Sequence, residues 1–104
     1  MQRTQKIVFV GDDHSSRTHA VKWLSTAPYI PVDGATTIPY SSGNIWDIGT
    51  NGLRDGYFVN ATAFVIFGPV APWYRDVTRI EPDARVHIYR NKASLKRFID
   101  GLFE

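Results

Sequence analysis

The 104-residue sequence contains no cysteine, which excludes disulfide scaffolds, thiolate zinc sites and cysteine nucleophiles. Long apolar runs are missing too. The longest is about five residues, against the ~20 that a membrane-spanning helix needs. Charge of one sign is scarce: 12 Lys and Arg against 10 Asp and Glu leave a net +2 and a pI of about 9.1. So small an excess gives no case for nucleic acid as a partner. The opening Met-Gln-Arg-Thr-Gln-Lys leads straight into an apolar run, without the apolar stretch and small-residue cleavage site of a signal peptide. An intracellular location, cytoplasm and/or nucleus, is expected, with no membrane partner. No repeat, low-complexity segment or linker interrupts the chain, and its length predicts one domain over residues 1–104. What is present is an ordinary globular mixture, 43% hydrophobic and 21% charged.

Four short runs read as buried strands. They are Ile7-Val8-Phe9-Val10, Asn44-Ile45-Trp46-Asp47-Ile48, Ala63-Phe64-Val65-Ile66-Phe67 and Val86-His87-Ile88-Tyr89. Three of them are followed directly by a glycine. Between them the apolar spacing turns helical: Ala20, Val21, Trp23 and Leu24 within 16–24, and Trp73, Val77 and Ile80 behind Pro72. Leu95, Phe98, Ile99, Leu102 and Phe103 form the cleanest stripe, with Ser94 as the expected N-cap. Residues 28–43 read as loop with a short edge strand at 36–40, and a short helix fits 53–59. Buried strands alternating with helices predict an α/β fold, a small mostly parallel sheet with helices on both faces.

In such a fold ligands bind at the carboxyl ends of the strands. The first of those ends carries Gly11-Asp12-Asp13-His14-Ser15-Ser16-Arg17-Thr18, between a strand and a helix. A phosphate-binding loop reads G-x-x-x-x-G-K-[ST] in that context. Here Gly11 and Thr18 fit, Ser16 replaces glycine and Arg17 replaces lysine.

Lys6–Leu24 resembles the first strand, P-loop and first helix of the Ran family of small GTPases. Asn44-Ile45-Trp46-Asp47 resembles the strand leading into switch II of that family, and Gly52-Leu53-Arg54-Asp55-Gly56-Tyr57 is similar to its switch II hexapeptide. Pro72–Lys92 is similar to its third helix and following strand, keeping Trp73, Arg75-Asp76, Arg79 and Asn91-Lys92. The resemblance spans about three fifths of the chain, in order, and implies a truncated P-loop GTPase architecture. It further implies phosphate contacts at Gly11, Ser15, Ser16, Arg17 and Thr18, magnesium ligands at Thr18, Asp47 and a switch I threonine (Thr36 or Thr37), and base contacts at Asn91 and Lys92. Magnesium with GTP or GDP would be the cofactor.

The sequence also departs from that pattern. Arg17 keeps the charge of the P-loop lysine but brings a planar, bulkier head, and Ser16 puts a side chain where glycine lets backbone approach phosphate. Asp47-Ile48-Gly49-Thr50-Asn51 has no glutamine to orient the attacking water, leaving the shorter Asn51 as candidate catalytic group. Ser94 stands where an aspartate reads guanine. The final strand and the Ser-Ala-Lys base loop have no counterpart. If each lost contact costs ~1–3 kcal/mol, nucleotide binding is expected to be weak or absent. The retained surface then carries the function. Arg54, Asp55, Tyr57, Trp73, Arg75, Asp76 and Arg79 would meet protein partners, with regulators or transport receptors of the Ran kind implied, as a mimic in nucleocytoplasmic transport. Two alternatives stand beside this: a still-active minimal GTPase, and a receiver-like domain in which Asp12-Asp13 bind magnesium, Asp47 accepts phosphate and Lys92 contacts it.

Overall fold

The computed structural model describes residues 5–26, 28–29, 35–48 and 54–103. Strand β1 (Lys6–Val10) is followed by helix α1 (His14–Leu24), the hairpin β2 (Ala35–Tyr40) and β3 (Gly43–Ile48), and the short helix α2 (Arg54–Phe58). Strand β4 (Ala63–Ile66), helix α3 (Ala71–Ile80), strand β5 (Arg85–Ile88) and helix α4 (Lys92–Gly101) complete the order. The sheet runs β2-β3-β1-β4-β5. All neighbours are parallel except β2, which pairs antiparallel with β3 from Ala35↔Ile48 to Tyr40↔Gly43. The fold class is therefore the expected α/β sandwich, with one antiparallel edge.

Alternation along the strands divides the core in two. Ile7, Phe9, Ile45, Val65 and Phe67 face α1 and α4, where they pack on Ala20, Val21, Leu24, Leu95 and Ile99. Val8, Val10, Phe64 and Ile66 face the other way, onto Phe58, Trp73 and Val77 of α2 and α3. β1 and β4 are buried on both faces, which is why their sequences are continuously apolar.

Two helix starts differ from the sequence reading. α1 begins at His14, two residues early, because the Asp13 carboxylate accepts the Ser16 N–H (3.1 Å) and caps the helix there. α4 begins at Lys92, capped by Asn91 rather than by Ser94. The Asn91 side chain accepts the Ser94 N–H at 2.9 Å, and Ser94 sits in the first turn. Asparagine and serine are comparable caps, and the extended backbone of Asn91 (φ −157°, ψ 169°) decides between them. The expected edge strand and the short helix of 53–59 are present as β2 and α2. Among the described residues no helix is long and apolar enough to cross a membrane.

Candidate functional site

The carboxyl ends of β1 and β4 are where the chain would open to a ligand, and here the two loops leaving them close on each other. The Phe67 N–H donates to the Val10 carbonyl at 2.9 Å, and the Asp13 N–H donates to the Phe67 carbonyl at 3.2 Å. Gly11, at φ +126°, makes this possible: a Cβ there would lie 1.9 Å from the Phe67 oxygen. Gly68, at φ +99°, approaches the Asp13 backbone in the same way. The Trp73 indole N–H donates to Asp12 (3.2 Å), tying α3 to the same loop.

The backbone amides at the start of α1 are occupied as well. The His14 N–H donates to the Asp12 carbonyl (2.9 Å), the Ser16 N–H to the Asp13 carboxylate and the Arg17 N–H to the Asp13 carbonyl (3.1 Å). A phosphate-wrapping loop needs such amides free and pointing at the ligand. Here they serve the cap, beside two acidic side chains. The two hydrogen bonds from Ser16 hold the Asp13 carboxyl below the ordinary carboxylate range, so it stays ionised.

Arg17 is buried, with only 1% of its surface exposed. Its Nε donates to Asp47 Oδ1 at 2.6 Å, its Nη1 to the Gly11 carbonyl at 2.5 Å, and its Nη2 lies 2.7 Å from His14 Nδ1. As guanidinium nitrogens only donate, His14 Nδ1 accepts and its proton sits on Nε2. Asp47 is 4% exposed, and its second oxygen accepts from the Tyr29 hydroxyl. Burial and the adjacent carboxylate push the Tyr29 hydroxyl above the ordinary tyrosine range, so it remains a donor. Thr36, opposite Asp47 in the β2–β3 register, also hydrogen-bonds to Tyr29. A buried charge pair is tolerable only when its polar atoms find other partners, and here each guanidinium nitrogen of Arg17 and both oxygens of Asp47 have one.

The expected site residues thus fall into separate groups. Gly11, Arg17, Asp47 and Thr36 come together around the buried ion pair. Ser15 is exposed on α1, whereas Thr18 is half-buried and its hydroxyl is buried without a hydrogen-bond partner among the described residues. Ser16 and Lys92 line one shallow groove with Ser15, His19 and Tyr89, while the Asn91 side chain is spent on capping α4. No group of three or more metal-ligating side chains exists among the described residues. Asn51, with Gly49, Thr50, Gly52 and Leu53, lies outside the described residues, as do the side chains of Arg54 and Asp55. On the opposite face, Tyr57 is half-buried beside Trp46 (ring centroids 6.3 Å apart). Trp73 is only 6% exposed and packs in the core, leaving Tyr74 as the exposed aromatic of α3. Arg75 and Arg79 are exposed and Asp76 is half-buried, and both Asp76 and Arg79 have interaction partners.

The sequence assigns no role to Tyr29 and does not foresee the contact of the exposed His14 with Arg17. The i,i+3 spacing of His14 and Arg17 was the available signal. For Tyr29 there was none, since its contact with Asp47 depends on how the chain leaves α1.

No family model matches the sequence. Among solved structures the chain is similar to the Arl6 (BBS3) small GTPase of Trypanosoma brucei, determined with a bound nucleotide analogue, GppNp. The two are 13% identical over 86% of this chain and 87% of that one, with a TM-score of 0.49.

Proposed function

We propose that this chain is a single small-GTPase-like domain whose grip on GTP and magnesium is weakened or lost, and that it acts through protein–protein contacts. The observation that carries the reading is the buried Arg17–Asp47 pair. By resemblance to the Ran family, Arg17 stands for the cation on the phosphates and Asp47 for the aspartate that holds magnesium through water. In this fold each neutralises the other. The ion pair supplies internally the charge balance that magnesium and phosphate would bring, and the domain is complete without them. Binding nucleotide in the family manner would mean breaking that pair, which costs ~3–5 kcal/mol when one buried partner is stranded. It would also mean freeing the amides that Asp13 caps.

The Ran-like segments 52–57 and 72–92 support a finer reading, a mimic or competitor of Ran toward transport factors in the cytoplasm or nucleus. Arg75, Asp76 and Arg79 suit specificity there. The receiver alternative finds little support. Both Asp47 oxygens are engaged and the residue is buried, and the receiver sheet has the doubly wound order 2-1-3-4-5, without an antiparallel strand beside β3.

The test is thermal unfolding with magnesium and GDP, GTP or ATP at millimolar concentration. A ligand present at 100 times its Kd adds about 2.7 kcal/mol. The expected outcome is no shift with any of the three. A shift specific to guanine nucleotides, or GDP carried through purification in stoichiometric amount, would overturn the reading.

A further inference from the structure

Three shallow grooves run together along the outer face of α1, and His19 lines all of them. They form one strip from His14 in the first turn to Lys22 and Trp23 in the last, bordered by Tyr89 and Lys92 at the start of α4. No Asp or Glu is among the described residues lining it. The buried side of α1 is made by Arg17, Ala20, Val21 and Leu24, so Trp23 is not needed for the core and stands 44% exposed. The Lys92 ammonium lies 5.6 Å from the centre of its ring. Among the described residues the lining of the strip therefore combines one exposed indole with two lysines and two histidines, and no carboxylate.

We propose that this strip docks an acidic, extended segment of a partner protein, with carboxylates on Lys22 and Lys92 and an apolar side chain on Trp23. An exposed tryptophan ringed by charge of one sign is the composition of a binding hot spot whose rim selects a partner of the opposite sign. Nucleic acid is a poorer fit. Its affinity comes from many phosphate contacts and serial base stacking, and the strip offers two lysines and one exposed indole. The proposal rests on the reading of the domain as a protein-interaction module and names the chemistry of the partner.

The experiment is a fluorescence-anisotropy titration of the full chain at low salt. The probe is a labelled peptide of about nine residues, glutamates and aspartates around one central phenylalanine. A peptide with lysines in place of the acids, and a labelled oligothymidine, serve as rivals. The acidic peptide is expected to bind and the lysine peptide not to. The double variant Lys22→Glu/Lys92→Glu should weaken binding at least about tenfold and flatten its salt dependence, whereas Trp23→Ala should weaken it with the salt dependence kept. Amide shift mapping on the unmutated protein makes the result independent of how the variants fold, and the shifts should cluster at 14–23 and 89–92. The proposal is overturned by absence of acidic-peptide binding, by binding indifferent to both variants, by shifts centred elsewhere, or by tighter oligothymidine binding that the lysine reversals abolish. Tight GTP binding in the unfolding assay would remove the proposed function but leave these shifts and affinities as they are, so the two failures are told apart.

Discussion

Two ion pairs in this molecule have the same separation, 2.6 Å between nitrogen and oxygen, and opposite surroundings. Arg17–Asp47 joins α1 to β3 with side chains 1% and 4% exposed, while Lys96–Asp100 lies along one face of α4 with side chains 46% and 47% exposed. Distance alone ranks them equal, but burial separates them. The exposed pair is solvated whether or not it forms, so its loss returns two ions to water. The buried pair has no such alternative. Removing one partner leaves a charge in a medium that cannot solvate it, and the two terminal nitrogens of Arg17 are engaged with Gly11 and His14. The first pair belongs to the architecture and the second decorates it.

The comparison is broken most forcefully by Asp47→Ala. We expect ~3–5 kcal/mol of destabilisation, read as a lowered denaturation midpoint in urea with an unchanged m-value. The double variant Arg17→Met/Asp47→Leu should recover most of that loss, since similar-sized apolar replacements of a buried pair are often neutral. A double variant as unstable as Asp47→Ala would mean that the polar contacts to Gly11 and Tyr29, not the stranded charge, set the cost.

Arg17→Lys restores the residue type of a P-loop and sharpens the same point. An ammonium cannot span Asp47, Gly11 and His14 as a planar fork does, so a loss of ~1–3 kcal/mol is expected. No nucleotide-induced stabilisation should appear, because the amides around Asp13 are still held by its cap. A GTP-dependent rise in melting temperature in this variant would mean that the arginine alone blocks the site.

At the small end, Lys96→Ala should lower the melting temperature by no more than a few degrees, and the difference should vanish in high salt. Hydrogen bonds from Lys96 and Tyr40 hold the Asp100 carboxyl below its ordinary value of 3.8. Because the folded pKa is the lower one, whatever stability the contact contributes is present above that value and is lost as pH falls through the lowered pKa. His87 runs in the same direction at higher pH. Burial and Arg90 lower its pKa from 6.5, so the folded state binds its proton more weakly than the unfolded state does. Stability should therefore decline as pH falls below about 6.5. His87→Gln should remove that part of the acid-side slope in a series of melting curves.

Strands, helices and the α/β class were legible because each depends on local pattern. The apolar runs at 7–10 and 63–67 have the length and the β-branched and aromatic content of buried strands, and the stripe from Leu95 to Ile99 gives its helix one face to bury. Helix starts were read less well, since Asp13 and Asn91 compete with nearby serines for the same role and the backbone conformation of the cap decides the outcome. The candidate site was legible as a set of positions but not as a geometry. That Arg17 and Asp47 mattered followed from where they stand after β1 and within β3. Nothing in their spacing of thirty residues told whether they reach for a ligand or for each other.

The sequence by itself determined the apolar content of the strands, the alternation of strand and helix, and the substitutions at the P-loop and base-reading positions, because these are properties of residue type and local spacing. Tertiary structure alone decided that the ends of β1 and β4 close on each other, that Tyr29 seals Asp47, and that Trp73 is buried while Trp23 is exposed. Those outcomes depend on which segments meet across the sheet, and a charged side chain takes the nearest partner that can replace its water.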